Sequence, residues 1–440
     1  MSNFRKQHMA IQWNDIVSND SHEPAVSASL QEKASLVGRV GFMMLSVGTG
    51  AWRVRASMNK IARSLNIVCN ADIGLLSLEY TCTENGQTYT NALALSTTGI
   101  NTDKLNELEM FADGFHERVE KYSITQFHRI LDKFDAMPHN YKAYNLALAS
   151  ALACGGFTFL LGGGIIEMIL AFFGAGVGQF VRKKFIERHI TLLANVTAGV
   201  ASACCTYALL FKLAEMMLGI AHSHQAGYIC SMLFVIPGFP LVTGVLDIAK
   251  LDMRSGLERL AYAILIIVMA TLTGWVTSLV IDFHPQDFEE ISINPVLRGV
   301  FRMIASFCGV YGFSFLYNSK RKMAVTAGLI GMIANTLRLE LIDFAGIHAA
   351  TAAFIGALTA GLLASAIKKY IGYPRITITV PSIVIMVPGM FMYKAVYYMG
   401  LNDSASFEMW FMKAILITVS IPLGLIFARI LTDENFRKTS

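Results

Sequence analysis

Val235-Ile236-Pro237-Gly238-Phe239-Pro240 interrupts an apolar stretch of membrane-span length, and Met386-Val387-Pro388-Gly389 repeats the interruption in the second half of the chain. Proline removes a backbone donor and clashes with the preceding turn, and glycine loosens what remains, so each pair breaks a helix where it falls. In hydrocarbon, freed backbone groups are tolerated only where they are buried in protein or line a polar cavity. Broken helices at corresponding places in two halves of a chain therefore point to a transporter's binding site. The competing reading makes each pair a plain kink, since Pro and Gly are common in membrane helices. Recurrence in the second half favours the first reading.

Composition agrees. The 440 residues are 54% hydrophobic and only 15% charged, against ~25% charged in soluble domains. With a mean hydropathy of +0.50, the chain reads as a polytopic α-helical membrane protein. The net charge of +5 is small and lies mostly in short loops, so it bears on orientation and excludes nucleic acid as a partner. Seven cysteines at 69, 82, 154, 204, 205, 230 and 308 form no CxxC pair and fall mostly in apolar stretches. They predict no disulfide framework, no metal site and no cofactor. The polar first 30 residues lack an apolar core followed by a cleavage site, which argues against a signal peptide.

Taken in order, the expected domains are a flexible N-terminus at 1–30, an α+β domain at 31–138, a first five-helix repeat at 141–282, a second at 296–432, and a tail at 433–440. In the first domain, apolar residues from Val37 to Leu65 recur at three and four residue spacing, which predicts an amphipathic helix broken at Gly48-Thr49-Gly50. Strand-type residues at 73–82 and 88–96 flank Asn85-Gly86, the strongest short hairpin signal. Asn101 or Thr102 caps a following helix, and Ser123 caps another that ends before Pro138.

Ten spans are expected near 142–161, 163–181, 190–212, 226–248, 259–281, 299–318, 322–341, 348–367, 378–399 and 409–431. Arg182, Lys183, Lys184 and Arg188 follow the second; Lys250, Arg254 and Arg259 the fourth; Lys320, Arg321 and Lys322 the sixth; Lys368, Lys369 and Arg375 the eighth. Alternate loops are poor in cations, and the one after the fifth carries Asp282, Asp287, Glu289 and Glu290. The positive-inside rule then places both termini and the α+β domain in the cytoplasm of a bacterial-type cell, with the chain in its inner (cytoplasmic) membrane. Arg298 and Arg302 oppose this pattern and are read as interface anchors.

Gly156-Phe157-Thr158-Phe159-Leu160 matches Gly312-Phe313-Ser314-Phe315-Leu316 at an offset of 156, and Pro237-Gly238 matches Pro388-Gly389 at 151. Similar offsets suggest two repeats of five spans. Five is odd, so the second copy lies upside down, the usual architecture for alternating access.

At this point the chain resembles the threonine/serine exporter family, over nearly everything after residue 30. Gly48-Thr49-Gly50-Ala51-Trp52-Arg53-Val54, then Ile61-Ala62-Arg63-Ser64-Leu65, looks like that family's N-terminal helix, with Arg55 where many members carry an acid. Gly162-Gly163 and Glu167 resemble a Gly-Gly and an acidic residue of the family. The most specific segment runs from Val235 through Val242, Val245 and Asp247 to Ser255-Gly256-Leu257-Glu258-Arg259-Leu260, with Thr243 where Asn is common. Leu329-Ile330-Gly331, Arg338 and Met386-Val387-Pro388-Gly389 fit the family's other half-chain. The resemblance implies an exporter of small hydroxylated amino acids driven by the proton motive force. Some members built from two half-chains are associated with dicarboxylate export, so the substrate stays open.

Ionisable groups inside the bilayer cost ~2.5–3.5 kcal/mol each on insertion scales, so each is a candidate site. Pro237, Gly238, Phe239, Thr243, Asn335, Arg338, Pro388 and Gly389 are the expected substrate-binding residues. Arg338 offers a planar fork to a carboxylate, or is an interfacial anchor. Glu167, Asp247 and Lys394 are the expected proton-coupling or gating residues. Glu167 carries the proton, or is a loop-end carboxylate in water. Asp247 forms a gate or an ion pair with Arg254 or Arg259. Lys394 counters Glu167 or Asp247, or snorkels. Asn195 and Asn335 orient a zwitterion, or join helices.

The leading expectation is antiport of L-threonine, L-serine or a similar small anion or zwitterion against protons, within the lipid bilayer; whether copies form a homo-oligomer is not fixed by the sequence. The alternatives are a dicarboxylate (succinate-like) exporter, or a membrane-anchored enzyme or regulatory module. No GxxxxGK[ST] loop supplies an ATP motor. His116 and His128 with Asp113 and Asp132 have the spacing of solvated helix faces, which argues against an enzyme.

Overall fold

The computed structural model describes residues 11–16, 23–219, 221–283, 288 and 293–437. Most of the expected flexible N-terminus, the loop acids Asp287, Glu289 and Glu290, and the last three residues of the tail lie outside the described residues. The chain divides into two compact units, one of Met1–His139 with Thr243–Leu260, the other of Asn140–Val242 with Ala261–Ser440.

The first unit opens with α1 (Leu30–Ser46), where Ser29 and Glu32 close a capping box that satisfies two otherwise orphaned backbone donors. Gly48 takes φ +83° and ends the helix, and α2 (Ala51–Ser64) starts after Gly50. Asn85 (φ 49°) and Gly86 (φ 79°) make the expected two-residue hairpin turn between β2 (Ser77–Glu84) and β3 (Gln87–Ala94). The hairpin is one strand short of the sheet. β1 (Val68–Ile73) pairs antiparallel with β2, from Val68 opposite Thr83 to Ile73 opposite Leu78, and the chain turns at Gly74 where a continuous strand was expected. The apolar Leu75 and Leu76 disguise that turn. Asn101 caps α3 (Thr102–Asp113), and Ser123 with Gln126 boxes α4 (Ile124–Asp135). Phe111, Phe115 and Phe127 stack beneath them, with Phe115 and Phe127 centroids 4.5 Å apart.

The second unit is helical: α5 (Ala143–Leu160), α6 (Ile165–Glu187), α7 (Leu192–Leu218), α10 (Pro295–Leu316), α11 (Arg321–Asp343), α12 (Ala349–Ile371), α13 (Arg375–Ile383), α14 (Gly389–Gly400) and α15 (Ser404–Thr432). A 3-10 segment, His222–Val235, leads into α8 (Gly238–Ala249), and α9 (Met253–Val280) follows. Among the described residues eight helices are long and apolar enough to cross a membrane, and two bent pairs raise the number to as many as ten. This is a polytopic membrane protein with a small N-terminal α+β domain. The bent pairs are the two expected: the chain turns by 57° between Val235 and Gly238, and by 45° between Met386 and Gly389.

The two copies of the Gly-Phe-x-Phe-Leu fragment pack on each other. A Cβ on Gly156 would lie 2.7 Å from the Ala305 carbonyl, and one on Gly312 would lie 2.3 Å from the Ala149 carbonyl. Ala149 and Ala305 are themselves 156 residues apart, so the contact is reciprocal, as across a local two-fold axis. Phe157 and Phe313 meet edge to face at 6.1 Å. Both approaches involve backbone, which cannot swing aside as a side chain can. We expect Gly312→Leu and Gly156→Leu each to destabilise the chain by about 1–3 kcal/mol, read as earlier thermal unfolding in detergent. Unchanged stability in either variant would refute this close α5–α10 crossing.

Candidate functional site

The same reciprocity builds the two breaks. Proline pushes the residue before it to extended geometry, and Ile236 (ψ 123°) and Val387 (ψ 131°) obey. Gly238 N–H then donates to the Ile236 carbonyl at 2.9 Å, and Gly389 N–H to Val387 at 2.9 Å, each closing a three-residue turn. Leu241 N–H donates to Pro237 and Met392 N–H to Pro388, restarting the helices. Every one of these groups has its counterpart 151 residues later.

The breaks face each other. A Cβ on Gly238 would meet Val384 at 2.4 Å and Val387 at 3.2 Å; one on Gly389 would meet Leu233 at 3.0 Å and Ile236 at 3.2 Å. Between them lies a small cavity lined by Phe157 and Phe313, Leu233 and Val384, Ile236 and Val387, Gly238 and Gly389. These are four pairs related by the two repeat offsets. The cavity offers about 10 Å3 to the centre of a water molecule, near the lower limit for a single water. Admitting a larger solute requires the two breaks to part.

Asn335 and Arg338 lie one turn apart on α11. Asn335 is fully buried; its Nδ2 donates to Ser306 Oγ at 2.8 Å, and its Oδ1 has no partner. Arg338 forms no ion pair or hydrogen bond among the described residues, and its buried Nε is unsatisfied. A Cβ placed on Gly356 would touch both Arg338 Cβ and Met386 Cε at 3.2 Å, so the stem of Arg338 and the tip of Met386, in the segment that ends at the second break, approach the same point on α12. The neighbouring Arg302 is paired instead, to Glu340 at 3.0 Å and Asp343 at 2.5 Å, while Arg298 reaches Asp343 at 3.7 Å. Arg298 and Arg302 thus have α11 carboxylates as partners, which balances two cations at an otherwise cation-poor end.

Glu167, in the first turn of α6, is only 5% exposed, so it is not a loop-end carboxylate in water. Its Oε1 lies 2.8 Å from His224 Nδ1, and its Oε2 has no hydrogen-bond partner among the described residues. Tyr207 donates its hydroxyl proton to the His224 carbonyl at 2.6 Å, fixing the segment that carries the ring. Sequence reasoning missed His224. Its signal is faint: a polar segment, His222-Ser223-His224-Gln225, directly before the apolar run into the first break.

The other expected residues sit elsewhere. Phe239 is buried with its ring 5.4 Å from Tyr317. Thr243 is buried and belongs with Asp247 to the first unit, and neither lines the cavity. Asp247 accepts from Ser255 Oγ at 2.9 Å and Ala51 N–H at 3.1 Å, and pairs with Arg259, whose Nε lies 3.2 Å from it and donates to Ser255 Oγ at 3.1 Å. Arg259 also donates to the Gly48 and Thr49 carbonyls at 3.2 and 2.6 Å. Arg254 pairs with Asp72, Glu79 and Glu258, so of its two proposed partners Asp247 takes Arg259. The Lys394 ammonium stands 4.3 Å from the Trp410 ring centre, a cation–π contact shared with Lys413 at 4.7 Å. Glu167 has His224 at hydrogen-bond distance, and Asp247 has Arg259 as its ion-pair partner. Asn195 joins helices, accepting from Arg182 Nε at 3.5 Å. In the N-terminal domain His128 is fully buried, bonded to Ser35 and to Arg39, whose partner is Asp132. That overturns the solvated-face reading of His128.

A family model described as "Putative threonine/serine exporter" matches residues 35–281, and a second, "Threonine/Serine exporter, ThrE", matches residues 302–431. The chain is 24% identical over 243 residues to "Probable succinate transporter subunit YjjP" of Escherichia coli, covering 55% of this chain and 91% of that one. The subunit of the same name from Klebsiella aerogenes is 25% identical over 246 residues, 54% of this chain and 88% of its own. "Probable threonine/serine exporter" of Mycobacterium tuberculosis is 24% identical over 388 residues, covering 83% of this chain and 70% of that one. No solved structure matches the chain.

Proposed function

The chain belongs to the threonine/serine exporter family, and on that premise we propose that it is a secondary transporter exporting L-threonine, L-serine or a similar small zwitterion by proton antiport. The observation that carries this reading is the cavity between the two breaks, built from four pairs of repeat-related residues. A site lying on a local two-fold relating inverted repeats is reached from either side by the same movement run in opposite senses, which is what alternating access requires. Separating Gly238 from Val384 and Val387 opens the space that a substrate needs.

Arg338 holds the substrate carboxylate. Its guanidinium has no competing partner among the described residues, and a planar fork suits a carboxylate in bidentate fashion. Asn335 Oδ1, unsatisfied one turn away, accepts from the substrate ammonium or hydroxyl. Glu167 and His224 carry the coupled proton. Moving a proton between them converts an ionic pair into a neutral one, which changes the hold on the segment running from His224 to the first break. In this reading both termini and the N-terminal domain face the cytoplasm.

The second reading is dicarboxylate export, favoured by the name that the Escherichia coli relative carries. Proteoliposomes containing the purified chain, supplied separately with labelled L-threonine, L-serine and succinate under an imposed pH gradient, decide between them. Gradient-driven amino-acid flux, lost in Arg338→Ala and uncoupled from the gradient in Glu167→Gln, is expected. Flux of succinate alone moves the chain to the second reading, and amino-acid flux intact in Arg338→Ala discards the carboxylate site.

A further inference from the structure

The offset of 156 that relates Phe157 to Phe313 also aligns α6 with α11 along their full length, ending Arg182-x-x-x-x-Glu187 and Arg338-x-x-x-x-Asp343. Burial follows the alignment: Ala171 and Ala327, Gly174 and Ile330, Ala175 and Gly331 are buried in both helices. Gln179 stands at the position of Asn335, and Arg182 at that of Arg338. The correspondence extends to what these groups lack. Gln179 is 7% exposed and its buried Oε1 has no hydrogen-bond partner among the described residues, as fully buried Asn335 has none there for its Oδ1. Arg182 reaches one partner among the described residues, Asn195 Oδ1 at 3.5 Å, the outer limit of a hydrogen bond.

Arg182 is not simply the first cation of a basic loop. Lys184, two residues on, is half exposed and pairs with Glu187, whereas Arg182 is half-buried with its stem against Gly199 of α7 and within electrostatic reach of Tyr262 and Tyr317. Tyr317 in turn packs on Phe239, the residue that follows the first break. An amide and an arginine one turn apart, both short of partners among the described residues, thus recur at corresponding places in the two repeats.

We propose that Gln179 and Arg182 form a second carboxylate-binding station, the repeat-related counterpart of Asn335 and Arg338, and that substrate passes from one to the other across the cavity. The proposal rests on the exporter reading and extends it. In inverted repeats the ends of α6 and α11 fall on opposite sides of the membrane, so one station receives substrate and the other releases it.

Equilibrium dialysis of the purified full chain with labelled L-threonine and labelled succinate tests the station without requiring transport. Arg182→Gln and Arg338→Gln are each expected to weaken binding about tenfold or more, Gln179→Leu by less, and Arg182→Lys to recover part of the loss. Sided counterflow in proteoliposomes should then show Arg182→Gln raising KM from one face and Arg338→Gln from the other. Wild-type affinity retained in Arg182→Gln, or an equal KM rise on both faces, overturns the second station while leaving the exporter reading intact. Absence of binding by the wild-type chain overturns the station, and flux in the same preparation judges the exporter reading separately.

Discussion

Arg259→Met is expected to cost about 3–5 kcal/mol, the range for breaking a buried ion pair from one side. Arg259 is 2% exposed and Asp247 fully buried, so neither charge has solvent to fall back on. Removing the guanidinium strands the carboxylate and also deprives the Gly48 and Thr49 carbonyls of their donor. Asp247 does a second job. Gly50, at the N-cap of α2, has no side chain with which to satisfy the first helical N–H groups, and Asp247 supplies the oxygen from the α8–α9 elbow, accepting Ala51 N–H. Asp247→Asn keeps an oxygen for Ala51 and Ser255 and should therefore cost less than Arg259→Met; Arg259→Lys, with a point charge in place of the fork, should fall between. Thermal unfolding in detergent ranks the three, and hydrogen exchange at residues 48–54 localises the loss. If Arg259→Met unfolds no earlier than Asp247→Asn, the pair does not tie the N-terminal domain to the elbow.

That node shows what a linear reading reaches and where it stops. The sequence offers Asp247 two nearby cations, Arg254 and Arg259, because charge and helix geometry act locally; the fold selects Arg259. The third member, the Gly48-Thr49-Gly50 loop, lies about two hundred residues upstream, and only the fold brings its carbonyls there. The breaks were legible for the same local reason: proline and glycine act on the helix that contains them. That the breaks face one another, with Gly238 against Val384 and Gly389 against Leu233, follows from packing that no residue type signals. β1 was missed because Leu75 and Leu76 continue an apolar pattern through a turn made by Gly74. Arg182 was counted with a basic loop because Lys183 and Lys184 adjoin it; its likeness to Arg338 emerges only when burial is laid over the repeat. His224 had to be met in three dimensions, since its partner Glu167 is 57 residues away.

Acidification should loosen the N-terminal domain through His128. The ring belongs to the apolar stripe of α4, between Ile124, Phe127 and Leu131, a placement that the spacing contained although histidine disguised it. Burial, and next the adjacent Arg39 charge, push the imidazole down from its usual 6.5 to about 4, with Asp132 opposing weakly. The neutral ring bridges Ser35 and Arg39 on α1 and stacks on Trp13 at 6.4 Å. Between pH 6.5 and about 4 the unfolded domain binds a proton that the folded one refuses, so stability is complete above 6.5 and declines as pH falls. The gap corresponds to about 3 kcal/mol, lost by the time pH reaches the folded value. Gln in place of His128 keeps a polar partner for Ser35 without titrating. Hydrogen exchange of α1 and α4 in the full chain should accelerate steeply from pH 7 to 4.5 in the wild type, after correction for intrinsic exchange, and only slightly in His128→Gln. Parallel profiles would show that His128 does not set the acid sensitivity of α1 and α4.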